Sequence, residues 1–318
     1  SPAVHHPGAD PGALLQQLAR QPGGDGEGGP YTLPSAAAFD RFCDRLITEA
    51  GLDGAVRAET VLALQPDGGG LHVRSDAAEI RARHVVLATN PHRRNLPPWL
   101  VALLPCPLHC LRHADDIDLR GDDGEVAGAH IAVLGGGLTA AQLAVGAIAR
   151  GACVTIVARR ALTERHFDVE PGWLGPRLLD GFRAQRDPRR RAELARAARV
   201  GTIPPGMLAE LRRLAARGAL TIADGEDVRG PGRAGHRLAL ETTHRRVVVD
   251  RLWLATGTTP CLSAARAITA LAADIPVAED LPLPGPDLRL GPWPLFATGR
   301  LAMARLGPAA GTLWGARQ

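Results

Sequence analysis

The chain has 318 residues, 45% hydrophobic and 22% charged, with a formal net charge of +4; this mixture excludes disordered and fibrous classes and leaves room for two packed domains. Its 37 basic residues are all arginine, since the sequence holds no lysine, which excludes P-loop nucleotide hydrolysis, Schiff-base chemistry and pyridoxal-phosphate catalysis. The small charge and the 3% aromatic content argue against a nucleic-acid partner, and the longest apolar runs, such as 131–134 and 252–255, fall far short of the roughly 20 residues of a membrane helix.

Residues 1–30 are dense in Pro, Gly and His and hold one short apolar helical stretch at 13–18, which predicts a surface-wrapping segment. Ser35 is placed to cap a helix through Ala50, with Phe39, Phe42, Cys43 and Leu46 on one face and Gly51 as the stop. Short β-rich runs at 55–64, 71–74 and 83–89, separated by the Pro-Asp-Gly-Gly-Gly turn at 66–70, predict a small antiparallel excursion feeding a buried strand. The clearest unit follows: a strand at 131–134, a helix at 138–150 stopped by Gly151, and a strand at 153–157, the opening of a βαβ fold. Residues 161–199 read as an irregular, arginine-rich insertion. Regular pattern resumes with a helix at 207–217 and strands near 220–222, 237–240, 247–249 and 252–255; after Gly257 the chain is rich in Pro and Gly until a strand at 295–298 and a closing helical stretch at 309–316.

Gly135, Gly136, Gly137, Leu138, Thr139 and Ala140 fit G-x-G-x-x-A directly after a strand and at the start of a helix. The first glycine permits the tight turn, the second lets the main chain approach a pyrophosphate, and Ala140 lets helix and strand pack closely. The helix N-terminus offers that anion unpaired N–H groups and a positive dipole end. At the end of the next strand, where an acidic residue would grip the ribose of NAD, the sequence has Arg159 and Arg160. Two guanidinium groups suit a 2′-phosphate, so NADP is the expected dinucleotide.

Two further runs are alike: residues 83–91, with Ala88, Thr89 and Asn90, and residues 250–260, with Ala255, Thr256 and Gly257. Each predicts a buried strand followed by a sharp turn for which Gly or Asn is suited. This pair brackets the glycine turn and is followed by Phe296-Ala297-Thr298-Gly299-Arg300. Together these motifs resemble the two-dinucleotide-binding-domain flavoproteins, which include flavin-containing monooxygenases, ornithine and lysine N-hydroxylases, and thioredoxin and glutathione reductases. The resemblance spans residues 83–318. It implies an α/β fold in which a Rossmann-like NADPH domain, residues 128–260, is inserted in a partial FAD-binding domain, residues 1–127 and 261–318. Thr89, Asn90, Thr256, Gly257, Gly299 and Arg300 would then lie at the cofactors, FAD and NADP. The family usually has Asp where this chain has Arg300, and the closing helix beginning near Leu306–Ala310 would aim its N-terminus at the flavin. No G-x-G-x-x-G occurs before residue 80, so the family's FAD-pyrophosphate loop is missing from these 318 residues. That leads to the expectation of either an N-terminally truncated chain, which Ser1 in place of methionine favours, or a relative that no longer holds FAD in the usual way.

Among the branches of that group, disulfide reductases need a cysteine pair by the flavin, and Cys106 and Cys110 lack the spacing. The monooxygenase branch fits better, with His113 in a place similar to a histidine of that branch. Cys106, His109, Cys110 and His113 are metal-ligand types, yet on a helix the outer pair would be roughly 10 Å apart, too far for one tetrahedral ion; no metal is expected. Five cysteines without C-x-x-C point to a reducing cytoplasm. The seven arginines from Arg183 to Arg199 are expected to form a solvated face, and the loop with His166, Asp168 and Trp173 is a candidate substrate or nicotinamide lid in which Asp168 or His166 is expected to make a loop-stabilising salt link rather than to transfer a proton. The implied function is an FAD-dependent NADPH oxidoreductase of monooxygenase type acting on a small-molecule substrate, with no membrane partner. A reductase passing electrons to another acceptor and a non-catalytic dinucleotide-binding remnant are the rival readings. No catalytic residue is assigned.

Overall fold

The computed structural model describes residues 8, 10, 12–19, 34–103, 110–119 and 126–315. Packing divides the chain into two units, one built from Ser1–His92, Val169–Arg199 and Pro260–Gln318, the other from Arg93–Asp168 and Val200–Thr259.

The first unit begins with α1 (Ala13–Ala19) and α2 (Ala36–Glu49). Ser35 caps α2 as its sequence predicts, its Oγ accepting from the Ala38 N–H at 3.2 Å. Leu14 and Leu18 of α1 bury against Ala38 and Phe42 of α2. Three strands, β1 (Val61–Asp67), β2 (Gly70–Ser75) and β3 (Glu79–Ala82), then form the expected antiparallel sheet. Gly68 and Gly69, with φ of +52° and +94°, make its first turn. The strand β4 (Val85–Leu87) leads to β5 (His92–Arg94), where the chain crosses to the second unit.

There β6 (Leu111–His113), β7 (His130–Leu134), α3 (Leu138–Ile148) and β8 (Cys153–Ala158) follow. After contributing α4 (Pro176–Ala184) and α5 (Pro188–Ala197) to the first unit, the chain resumes with α6 (Pro205–Ala216), β9 (Leu220–Asp224), β10 (Val228–Ala234), β11 (Arg237–Thr242), β12 (Arg246–Val249), β13 (Arg251–Leu254) and β14 (Thr258–Pro260). The last elements, β15 (Val277–Ala278), β16 (Leu281–Pro282), β17 (Leu295–Ala297) and α7 (Met303–Leu306), belong to the first unit.

The second unit is an α/β layer structure around a five-stranded sheet in the order β6-β13-β7-β8-β9, every neighbour parallel. Alternation along β7 explains the layers. Ile131 and Val133 face Ala140, Ala144 and Ala147 of α3 and Leu208 and Leu211 of α6, whereas Ala132 faces Leu238, Leu240, Val247 and Val249 of the antiparallel β10–β12 layer. Small alanines on α3 let that helix approach the sheet closely. Buried Glu226 ties the β10–β12 layer together, pairing with Arg245 at 2.6 Å and accepting from the Thr242 hydroxyl.

At the opposite, N-terminal edge of the sheet, the carboxylate of Asp250 accepts from the His130 N–H at 2.8 Å and pairs with Arg237 at 2.8 Å. Burial, with the Arg237 charge, lowers the pKa of the His130 ring, whose Nε2 lies 2.8 Å from the Thr155 hydroxyl. The folded state therefore prefers the neutral ring. Its contribution is complete above the ordinary histidine value near 6.5 and is lost as pH falls below it. The melting temperature is expected to fall by a few degrees between about pH 7.5 and about pH 5.5, and less in His130→Asn; equal pH slopes in the two proteins would contradict this.

Four expectations are corrected. Residues 161–199 are not irregular throughout, because α4 and α5 lie within them. They pack with the first unit, burying Phe182, Ala192 and Ala195 against Met303, Ala304 and Ala310, so the second unit differs from the span 128–260 here as well as at 93–119. The closing helix at 309–316 is instead a four-residue 3-10 turn at Pro308–Gly311. Residues 83–89 contain a strand of only three residues, buried at Leu87 but not at Val86, which is 61% exposed; among the described residues β4 pairs only with β17. A further strand, for which no expectation was made, is β10 in the Gly- and Pro-containing residues 228–234, with a register shift beside Gly230.

Candidate functional site

In the second unit the predicted glycine turn leaves β7 at the switch point of the sheet, where the neighbours of β7 are β8 on one side and β13 on the other. Ligands of open parallel sheets bind outside the carboxyl ends of strands at such a point. Gly135 takes φ +146°, and a Cβ there would lie 2.3 Å from the Ala255 carbonyl oxygen at the end of β13. Its N–H donates to the Val157 carbonyl at 2.9 Å. A Cβ at Gly136 would meet that of Ala158 at 3.2 Å, so this position brings turn and β8 together. Gly137 is the N-cap of α3 and is extended, without a side-chain cap. The first N–H groups of the helix, at Leu138, Thr139 and Ala140, thus have no intrahelical acceptor and face outward from its positive end. Thr139 is exposed, while Ala140 is buried against the sheet.

Gly137 has a neighbour that sequence reading missed. A Cβ on it would be 3.2 Å from Cα of Gly201, and Gly201 meets Gly137 reciprocally. The room left by this glycine is therefore shared with residues 200–203. Beside them, Asp168 accepts from the buried Thr202 hydroxyl at 2.9 Å, a hydrogen bond in place of the salt link expected of it. Only the pattern Val-Gly-Thr-Ile before a Pro-Pro pair marks this second glycine in the sequence.

Arg159 and Arg160 stand just past β8, one strand from the glycine turn, a separation of about 5 Å between strand axes. Both are exposed. Among the described residues neither forms an ion pair, although Asp224 lies across from Ala158 on β9 and accepts from the Leu162 N–H at 2.9 Å. Their forks are open to an anion. Thr256 and Gly257, by contrast, are tied to Asn95: the Thr256 hydroxyl donates to the Asn95 carbonyl at 2.5 Å, and the Asn95 N–H to the Gly257 carbonyl at 3.1 Å. Gly257 has the positive φ, +76°, that its turn was expected to need.

His113, at the end of β6, is buried; its Nδ1 accepts from the Asp115 N–H at 3.2 Å, and its Nε2 has no hydrogen-bond partner among the described residues. Cys110 is a half-buried free thiol, and Cys106 and His109 lie outside the described residues.

In the first unit, β4 and β17 run parallel, Val85 to Leu87 opposite Leu295 to Ala297. Thr89, Asn90, Gly299 and Arg300 therefore gather at the carboxyl ends of this pair. Thr89 and Asn90 are exposed, and Asn90 does not adopt the positive φ that its turn was thought to require. Gly299 does, at +65°, and a Cβ there would meet nothing within 4 Å. Space beside a main chain of this kind fits the close approach of a cofactor. Arg300 is half-buried, its stem against Gly311 in the 3-10 turn. The turn is too short to act as the dipole expected of a closing helix. Trp173 of the former candidate lid is packed edge-on to Phe182, with ring centroids 5.7 Å apart.

No protein-family profile matches the sequence, and no curated protein matches it at a significant level. Solved structures do match its fold. L-lysine 6-monooxygenase from Pseudomonas syringae superposes with a TM-score of 0.67 at 19% identity, over 89% of this chain and 74% of that one. The ornithine N-hydroxylase KtzI of Kutzneria sp. 744, in complex with reduced FAD, NADP+ and L-ornithine, gives 0.60 at 16%, over 90% and 80%. The cadaverine monooxygenase DfoA of Erwinia amylovora, bound to FAD, gives 0.64 at 15%, over 98% and 84%. The fold is that of the flavin-dependent N-hydroxylating monooxygenases. No helix among the described residues is long and apolar enough to cross a membrane.

Proposed function

We propose that this chain is an FAD-dependent NADPH oxidoreductase of monooxygenase type, acting on a small molecule in the cytoplasm. One observation carries the reading: a glycine turn at a parallel-sheet switch point stands one strand from two arginines that are unpaired among the described residues, within the fold of N-hydroxylating monooxygenases. The N–H groups of Leu138 and Thr139 would hold the dinucleotide pyrophosphate, and Arg159 and Arg160 its 2′-phosphate. Thr89, Asn90, Gly299 and Arg300 would border FAD in the first unit, where Gly299 leaves the main chain open to it. FAD, when bound, supplies the electron transfer and oxygen chemistry, which no side chain of this protein supplies. Binding and orientation fall to the residues named.

The names of the neighbours, for lysine, ornithine and cadaverine, support a primary amine as the first substrate class to test. Purified protein with added FAD and NADPH is placed in an oxygen electrode with each of these amines. NADPH oxidation coupled to oxygen uptake and to a hydroxylated amine is the expected result. NADPH oxidation that proceeds only with an added dye acceptor, without oxygen uptake, would replace this reading with that of a reductase; NADPH binding with no oxidation would leave a binding module.

A further inference from the structure

Residues 200–203 come up against the glycine turn of the second unit, and what they bring there is main chain. Gly201 faces Gly137 so closely that a Cβ on either would lie 3.2 Å from the Cα of the other. Neither residue adopts a positive φ, so both are glycine for space rather than for conformation. Just beyond Gly201, the main-chain nitrogen of Thr202 lies 3.9 Å from the position that a Cβ on Gly137 would take. At that position the second glycine of the fingerprint lets the main chain approach a pyrophosphate. A second main-chain donor therefore borders the approach, in addition to the N–H groups at the start of α3.

Three restraints hold this segment in place. The Ile203 N–H donates to the Thr163 carbonyl at 2.9 Å and the Arg165 N–H to the Ile203 carbonyl at 3.0 Å, a short parallel bridge. The Ile203 side chain is buried in the core that holds Ala140 of α3 and Leu208 of α6. The Thr202 hydroxyl donates to Asp168. Yet among the described residues no acceptor pairs with the N–H of Gly201 or of Thr202, although Thr202 is only 1% exposed. A buried N–H without an acceptor costs about as much as a lost hydrogen bond, and folded chains rarely keep one. Here one is kept beside the path of an anion.

We propose that Gly201 and Thr202 form a second wall of the pyrophosphate site, in which the Thr202 N–H donates to a diphosphate oxygen and Asp168, through the Thr202 hydroxyl, is a positioning residue. The inference rests on the reading of the glycine turn as a dinucleotide site. Because the pyrophosphate is common to NADPH and NADH, this wall serves both alike, whereas Arg159 and Arg160 would tell them apart. NADPH, NADH and 2′-AMP, which carries no pyrophosphate, are titrated calorimetrically into the full chain and its variants. Thr202→Val, Asp168→Ala and Gly201→Ala are each expected to weaken NADPH and NADH by a common factor of about five or more and to leave 2′-AMP unaffected. Thr202→Ser keeps the hydroxyl and should bind as the parent does. Asp168 is exposed, so its variant removes the same restraint without touching the core if Thr202→Val melts lower. Dinucleotide affinities that Asp168→Ala and Gly201→Ala leave unchanged, an equal loss of 2′-AMP, or tighter binding by Gly201→Ala, the mark of a segment that obstructs the turn, would overturn the second wall alone. No binding of either dinucleotide to the parent chain would overturn the dinucleotide reading as well.

Discussion

Replacing Gly135 by alanine is expected to lower the melting temperature by roughly 10 °C and to abolish NADPH binding. Two independent penalties act at this residue. Its φ of +146° is one that a side chain rarely adopts, which costs about 1–3 kcal/mol. The added Cβ would also lie 2.3 Å from a main-chain oxygen, that of Ala255, which cannot move without shifting the end of β13. A total near 4 kcal/mol, at roughly 2–4 °C per kcal/mol for a protein of this size, gives the expected shift. Gly218→Ala separates the two penalties. That residue has φ +75° and nothing within 4 Å of a Cβ, so only the conformational part, about 1–2 kcal/mol, applies. Equal losses in the two variants would mean that the contact between the turn and β13 contributes nothing.

Removing both guanidinium groups with Arg159→Ala and Arg160→Ala should weaken NADPH at least tenfold, about 1.4 kcal/mol, while leaving NADH nearly unchanged. The parent chain should accordingly favour NADPH by the same factor. The argument rests on availability as much as on position: both arginines are exposed and unpaired among the described residues, so the 2′-phosphate has no internal carboxylate to displace. Their exposure also predicts that the preference narrows as salt is raised, since such pairs are screened. Fluorescence titration of both dinucleotides at two ionic strengths reads all of this. Equal affinities for NADPH and NADH in the parent chain would remove these arginines from the selector role.

The βαβ core of the second unit was legible in the sequence because its signals are local. Ile131 and Val133 alternate with Ala132, the glycine turn follows at once, and Gly151 ends the helix. The helices α4 and α5 were not legible because each opens on a proline. Pro176 and Pro188 each stand in the first turn of a helix, where the missing N–H would have had no partner, and Asp187 caps α5 by accepting from Arg189 at 2.9 Å. The contacts of Gly137 with Gly201, and of Arg199 with the Pro308 carbonyl, were beyond reach for a different reason. They join residues about 60 and about 110 positions apart, and no periodicity reports a meeting at that range.

Pairing β4 with β17 closes a loop of about 200 residues, which in chain-entropy terms costs about 3 kcal/mol more than closing one of ten. Three residues on each strand cannot offset that by themselves. The pair must therefore form late in folding, after the helices and antiparallel strands between them have compacted and shortened the effective loop. A protease nick in an exposed connection between Leu87 and Leu295 would then leave an already folded chain intact, yet the same cut made before folding would turn an intramolecular closure into a meeting of two separate fragments.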